Sequence, residues 1–78
     1  MTTLLVVDDE EAIQHAFQRA FRGGNIRIQS AGSAAEALDA VGRNRPDVIV
    51  LDIRLPDASG LDAFRKIQAT NARIPIIL

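Results

Sequence analysis

Two short apolar runs, each ending in carboxylates, constrain the fold of this chain more than any other feature. Residues 4–7 read Leu-Leu-Val-Val and precede Asp8 and Asp9, and residues 48–51 read Val-Ile-Val-Leu and precede Asp52. Runs of about four apolar, β-branched-rich residues bounded by polar ones are typical of strands that are buried on both faces of a parallel sheet. The sequence therefore predicts two such strands.

The carboxylates after these runs predict a site. If the two strands are parallel neighbours, Asp8, Asp9 and Asp52 lie together at the carboxyl ends of the strands, where open α/β sheets place their sites. Three acids at one edge repel one another without a cation, and oxygen ligands alone suit a hard ion such as Mg²⁺. The sequence predicts a magnesium-dependent acidic pocket. The alternative for Asp8 and Asp9 is capping of the following helix, and the two roles can coexist.

Between and after these runs the apolar spacing changes to that of helices. A first helix is predicted after Asp9, with acids in its first turn, an end at Gly23-Gly24 and an apolar stripe of Ile13, Ala16, Phe17, Ala20 and Phe21. A capping box from Ser33 to Glu36 predicts a second helix, with a stripe of Ala34, Ala37, Leu38 and Val41. A third helix is predicted after Gly60, with its inward face formed by Leu61, Phe64, Ile67 and Gln68. Phe17, Phe21 and Phe64 are assigned to the core.

The order of these elements predicts the fold class. The alternation of Ile26 and Ile28 with polar residues indicates a half-exposed edge strand. Residues 55–60 are a turn-rich loop, residues 71–75 are a break, and residues 76–78 begin a fourth strand. Strands that alternate with helices in this way predict an α/β protein with a doubly wound parallel sheet and right-handed crossovers.

Bulk properties exclude several classes of protein. The 78 residues carry a net charge of −1 with scattered basic residues, which argues against direct contact with nucleic acid. There is no cysteine, and no apolar run approaches the ~20 residues of a membrane span. We therefore expect a soluble cytoplasmic protein. Because the sequence stops within an apolar strand, we expect residues 1–78 alone to be poorly folded or to form dimers or larger oligomers.

Three segments, taken in order, resemble the receiver domain of two-component response regulators. They are residues 5–10 (LVVDDE), 46–56 (PDVIVLDIRLP) and 59–61 (SGL), and the resemblance covers essentially the whole chain. It implies a flavodoxin-like receiver fold with strand order 2-1-3-4, and it makes residues 1–78 the N-terminal part of a single receiver domain that lacks the fifth strand and the last two helices. The DIRLP segment is most similar to receivers of the NtrC-like group, whose full-length members activate transcription with sigma-54.

The resemblance also implies roles for individual residues. Asp52 would accept a phosphoryl group from the phosphohistidine of a sensor histidine kinase. Mg²⁺ would be bound directly by Asp9, partly through water by Asp8, and by Asp52 and the backbone carbonyl of Arg54. The implied partners are the kinase and an output domain of the full-length chain, such as a AAA+ sigma-54 activator with a DNA-binding domain. The family's later Thr or Ser and Lys are absent from these residues, so we expect that this polypeptide alone does not signal normally.

Two other functions remain open from the residues. The first is a Mg²⁺-dependent phosphatase or phosphotransferase with an aspartate nucleophile. Such enzymes usually carry a second Asp two residues after the first as general acid, but here that position is Arg54, so we expect no enzyme in the metabolic sense. The second is a receiver-like interaction domain that needs no phosphate. The side chain of Arg54 is expected at the rim of the pocket, Pro56-Asp57 is assigned to turn chemistry, and His15 to the surface.

Overall fold

The described part of the chain, residues 1–70 and 73–78 of a computed structural model, contains four strands and three helices in strict alternation. The elements are β1 (Thr2–Val7), α1 (Glu11–Ala20), β2 (Ile26–Ala31), α2 (Ala34–Arg43), β3 (Val48–Leu51), α3 (Gly60–Thr70) and β4 (Ile76–Ile77). Part of the predicted break, residues 71 and 72, lies outside the described residues. Among the described helices, none has both the length and the apolar character needed to cross a bilayer.

The strands form one parallel sheet in the order β2-β1-β3-β4. This arrangement confirms the predicted doubly wound fold and its strand order, with β2 at one edge. From β1 the chain runs outward to β2 and then crosses back to place β3 on the other side of β1. The reversal makes the boundary between β1 and β3 a topological switch point, the place where open α/β sheets form their sites.

The core lies between the sheet and the pair α2 and α3. Alternate residues of the two central strands, Leu5 and Val7 on β1 and Ile49 and Leu51 on β3, are almost completely buried there. They pack with Ala31 at the end of β2, with Ile74 before β4 and with buried residues of the two helices, namely Ala34, Ala37, Val41, Ala63 and Ile67. Small alanines on both helices allow close approach to the sheet, so this face is fully packed.

The opposite face of the sheet is only partly covered. Helix α1 has no fully buried residue, and its Phe17 and Phe21 are half-buried with ring centroids 6.4 Å apart. Together with Val48 and Val50 of β3 and with Ile77, which is 58% exposed, they line an open apolar groove. The assignment of the two phenylalanines to a closed core is therefore wrong, because no described element covers this side of β3. Association of the chain through such a surface stays a prediction.

The inward face of α3 differs from the predicted one. Gly60, Ala63 and Ile67 are buried, whereas Leu61 is 46% exposed, Gln68 is exposed and Phe64 is only half-buried. The reason is a close contact at the start of the helix. A Cβ on Gly60 would lie 2.2 Å from the backbone oxygen of Asp52 and 2.7 Å from the Cα of Ile53. Because Gly60 must face this backbone, the helix face that contains Gly60 points toward the core. Ala63 and Ile67 lie on the same face of the helix and are therefore buried with it.

This contact predicts that Gly60→Ala destabilises the protein by about 2–3 kcal/mol, since the obstructing atoms belong to backbone that cannot move aside cheaply. The matched control is Gly42→Ala in α2, where an added Cβ meets no atom within 4 Å. That change should stabilise the protein by about 0.5–1 kcal/mol, because alanine is the better helix former. The chain has no Trp or Tyr, so unfolding in urea is best followed by far-ultraviolet circular dichroism. Equal changes in the free energy of unfolding for the two substitutions would contradict the close contact at Gly60.

Candidate functional site

The paired ends of β1 and β3 place two of the predicted site residues side by side. Val7 is the register partner of Leu51, so Asp8 and Asp52 are the next residues along each strand. Backbone hydrogen bonds continue past the strand ends: the Asp52 amide donates to the Val7 oxygen at 2.9 Å, and the Asp8 amide donates to the Ala31 oxygen at 3.0 Å. The backbone of both acids is therefore held by the sheet itself.

The carboxylates of Asp8, Asp9 and Asp52 meet at this edge. One oxygen from each lies within 4.8 Å of the others, with Asp8 and Asp52 partly buried and Asp9 exposed. Two unit charges at this separation repel by about 1 kcal/mol in water and by more where the dielectric is lower. An oxygen-only cluster of this charge fits a hard divalent cation such as Mg²⁺. The predicted meeting of the three acids is confirmed, and their roles as ligands stay a prediction.

Local backbone amides orient two of these carboxylates. Asp8 Oδ1 accepts a hydrogen bond from the Glu10 amide at 2.9 Å, and Asp52 Oδ1 accepts one from the Arg54 amide at 3.1 Å. Helix α1 begins only at Glu11, with Glu10 as an N-cap residue that makes no side-chain capping bond. Asp9, Glu10 and Glu11 are the acids predicted for its first turn, and only Glu11 lies there. Asp8 thus bonds the chain before the helix and does not cap it. The alternative of helix capping by Asp8 and Asp9 is therefore wrong, because the N-cap residue is Glu10, and their role as metal ligands stays a prediction.

Gln14 is a supporting residue that sequence reasoning missed. Its Nε2 donates to the backbone oxygens of Val6 at 2.9 Å and Asp8 at 3.0 Å, and more weakly to that of Ala31 at 3.3 Å. The side chain therefore links α1 to the carboxyl ends of β1 and β2, and one of its acceptors is the backbone oxygen of Asp8 in the acidic cluster. A single glutamine beside an apolar stripe carries no distinctive sequence signal, because the carbonyls that it binds are brought together only by the sheet.

The loop between β3 and α3 folds back on itself. The Gly60 amide donates to the Ile53 oxygen at 2.7 Å, and Arg54 forms an antiparallel bridge with Ser59. The Arg54 side chain is exposed, while its peptide adjoins the Asp52 carboxylate through the hydrogen bond described above. Residue 54 is therefore close to the acidic cluster, and the role of its carbonyl as a metal ligand stays a prediction.

Asp57 lies in the bend of this loop, as its assignment to turn chemistry predicts, and it also makes a long-range contact. Its Oδ1 accepts a hydrogen bond from the Ala34 amide at 2.8 Å and its Oδ2 accepts one from the Ala35 amide at 3.0 Å, both at the start of α2. These two bonds from backbone amides hold the pKa of Asp57 below its ordinary value. No local pattern announces this contact, because its partners lie more than twenty residues earlier in the chain.

A parallel sheet with an acidic cluster at its switch point defines the class of protein. Residues 4–78 match the response regulator receiver domain, and the chain belongs to this family. It is a module of two-component phosphorelay signalling, a class whose members act with sensor kinases and output domains. The probable transcriptional regulatory protein TcrX of Mycobacterium tuberculosis is 43% identical over 76 residues, which are 97% of this chain and 32% of that protein. The chain thus spans about a third of the length of the curated relatives that it matches.

Solved structures of response regulators superpose closely on this chain. The response regulator TrrA of Thermotoga maritima, solved in complex with Mg(2+)-BeF, superposes with a TM-score of 0.91 at 32% identity, over all of this chain and 68% of that one. NtrX of Brucella abortus superposes with a TM-score of 0.87 at 28% identity, over 95% of this chain but only 17% of that one. The resemblance to the NtrC-like group in particular stays a prediction, because receivers of different regulators superpose equally well.

The acidic cluster predicts opposite effects of one substitution with and without metal. In metal-free buffer, Asp9→Asn should raise the free energy of unfolding by up to about 1 kcal/mol, because it removes one of three mutually repelling charges. The thermal midpoint should rise with it. The same change should reduce the rise in midpoint that Mg²⁺ produces in the unchanged protein. Circular dichroism melts with and without Mg²⁺ measure both effects.

The control for this experiment is Asp62→Asn, which removes the same charge from the first turn of α3. The helix dipole favours an acid there, so this variant should not gain stability and should keep its response to Mg²⁺. A midpoint of the unchanged protein that is indifferent to Mg²⁺ would contradict a cation site at the acidic cluster.

Proposed function

We propose that Asp52 accepts a phosphoryl group from the phosphohistidine of a sensor histidine kinase. Asp8, Asp9, Asp52 and the backbone carbonyl of Arg54 would hold the Mg²⁺ ion that this transfer uses. The phosphorylated receiver would then regulate an output domain of the full-length protein, in the control of transcription. The observation that carries the proposal is the meeting of three carboxylates, with oxygens within 4.8 Å, at the switch point between β1 and β3.

The transfer forms one bond and breaks another. A carboxylate oxygen of Asp52 attacks the phosphorus atom, the phosphorus–nitrogen bond of the phosphohistidine breaks, and its electron pair stays on the departing imidazole. When bound, Mg²⁺ offsets the repulsion between the phosphoryl oxygens and the carboxylates. The Arg54 amide restrains the Asp52 side chain through Oδ1, and the sheet holds the Asp52 backbone. The nucleophile is thereby oriented before the donor arrives.

The relatives support the metal and the output in this proposal. TrrA was solved in complex with Mg(2+)-BeF, which supports Mg²⁺ as the ion of the proposed site. TcrX is described as a probable transcriptional regulatory protein, which supports a DNA-binding output. An output with a AAA+ sigma-54 activator domain is the form that the DIRLP segment favours. A cytoplasmic location follows from the proposal, because the kinase domain and the regulated genes are there.

The competing functions have less support. A phosphatase with an aspartate nucleophile needs a general acid near the leaving group, and two residues after Asp52 the chain has Arg54, whose side chain is exposed. We therefore propose that the chain is not a metabolic enzyme. A phosphate-independent interaction domain would have no reason to bring three like charges together at a destabilising distance. The assembled acidic cluster favours the phosphorylated module over both.

The decisive experiment uses acetyl phosphate as a small phosphodonor. With Mg²⁺, the unchanged protein and the Asp62→Asn control should each gain the mass of one phosphoryl group, and Asp52→Asn should gain none. Intact-mass spectrometry measures the gain, and omission of Mg²⁺ should suppress it. Phosphorylation of Asp52→Asn to the same extent would overturn the assignment of the acceptor. Steady turnover of p-nitrophenyl phosphate would instead support the phosphatase.

A further inference from the structure

The loop between β3 and α3 is fastened to the start of α2 by one side chain. Both oxygens of Asp57 accept backbone hydrogen bonds, at 2.8 Å from the Ala34 amide and at 3.0 Å from the Ala35 amide. Hydrogen bonds to an ionised acceptor are about twice as strong as bonds between neutral groups. The same bonds lower the pKa of Asp57, so the carboxylate is ionised at neutral pH. The contact joins parts of the chain that the sequence keeps far apart.

Helix α2 already has a local cap of its own. Ser33 Oγ accepts a hydrogen bond from the Glu36 amide at 3.1 Å, as the capping box predicts. The buried residues Ala34 and Ala37 hold the first turn of the helix against the core. The start of α2 is therefore a fixed point of the fold that exists without Asp57. It follows that Asp57 restrains the loop more than it restrains the helix.

Apart from the bonds of Asp57, backbone contacts hold the two ends of the loop, and the partly buried side chains of Leu55 and Ala58 pack against the core. The bond from the Gly60 amide to the Ile53 oxygen and the bridge between Arg54 and Ser59 close its base. Residues 55–58 span the interval, and within it the side chain of Asp57 forms the hydrogen bonds to the start of α2. The Arg54 peptide thus lies between two anchors. On one side its amide binds the Asp52 carboxylate, and on the other side, three residues along, Asp57 binds the helix.

We propose that Asp57 is a positioning residue for the metal site. By fastening the loop to α2 it fixes the orientation of the Arg54 peptide, and so it presents the Arg54 carbonyl to Mg²⁺. This inference rests on the proposed function, in which that carbonyl is a metal ligand. Groups that orient a ligand from behind typically contribute tenfold or more to metal affinity. Asp57 is not among the residues proposed to hold the metal or to accept the phosphoryl group, so its loss should change metal affinity and leave the chemical step intact.

The test measures the rate of phosphorylation by acetyl phosphate as a function of Mg²⁺ concentration. For Asp57→Ala, the Mg²⁺ concentration that gives half the maximal rate should rise by about tenfold, while the maximal rate at saturating Mg²⁺ stays within about twofold of the unchanged protein. Asp57→Asn keeps one acceptor oxygen and should show a smaller rise. Because the chain lacks Trp and Tyr, Mg²⁺ binding is measured independently by amide chemical shifts in NMR spectra, including that of Arg54.

Two control variants separate positioning of the loop from capping and from charge. Ser33→Ala removes the local cap of the same helix, so it should lower the thermal midpoint without changing the half-saturating Mg²⁺ concentration. Asp39→Asn removes one negative charge from the surface of α2, where Asp39 pairs with Arg43, and it should leave the Mg²⁺ dependence unchanged. If a general loss of stability weakened Mg²⁺ binding, the half-saturating Mg²⁺ concentration would rise in both Ser33→Ala and Asp57→Ala. If Asp57 positions the loop, it should rise only in Asp57→Ala.

Three results would overturn the inference. The first is an unchanged half-saturating Mg²⁺ concentration in Asp57→Ala, which would make Asp57 a second cap and nothing more. The second is a fall in maximal rate that saturating Mg²⁺ does not restore. If Asp57→Ala does not fold, Asp57→Asn is judged by the same two criteria. The third is an unchanged protein that shows no Mg²⁺-dependent phosphorylation, in which case the proposed function fails together with the inference. The first two results leave the proposed function intact.

Discussion

The parallel pairing of β1 with β3 is the interaction on which the rest of the structure depends. It joins segments more than forty residues apart, and its register sets Val7 against Leu51. Because both strands end at the same level, the acids that follow them meet at one edge of the sheet. A shift of one residue in this register would turn the buried side chains of β3 to the other face. The packed core under α2 and α3 therefore also fixes the geometry of the acidic cluster.

The acidic cluster works against folding, and the surrounding contacts offset that effect. Like charges within 4.8 Å are unfavourable, yet hydrogen bonds from nearby amides hold Asp8 and Asp52 in place. Gln14 fastens α1 to the strand ends behind the cluster, and Asp57 fastens the neighbouring loop to α2. These supports come from α1, from the loop before it and from the loop between β3 and α3. Hydrogen bonds from the protein thus restrain the acids of the site, which suits a pocket that must select an ion by the geometry of its oxygen ligands.

Much of this arrangement could be predicted because it follows from local patterns. An apolar run followed by acids identifies a buried strand and its end, and the capping box at Ser33 identifies the first residue of α2. The prediction failed where orientation depends on distant atoms. Leu61 and Gln68 follow an apolar spacing that fits helix α3, but the contact of Gly60 with the backbone of Asp52 and Ile53 rotates them outward. Phe17 and Phe21 fit a buried stripe, but no described element closes the groove that they line.

The sequence by itself determined the order of the elements, the strands at the centre of the sheet and the three acids at their ends, because strand and helix periods are properties of neighbouring residues. Tertiary structure alone decided the rotation of α3, the hydrogen bonds of Gln14 and the attachment of Asp57 to α2. Each of these depends on backbone groups of another element, whose positions are set only when the sheet and the helices pack. The acids of the site were therefore predictable from their own neighbours, whereas the residues that hold the site in place were not.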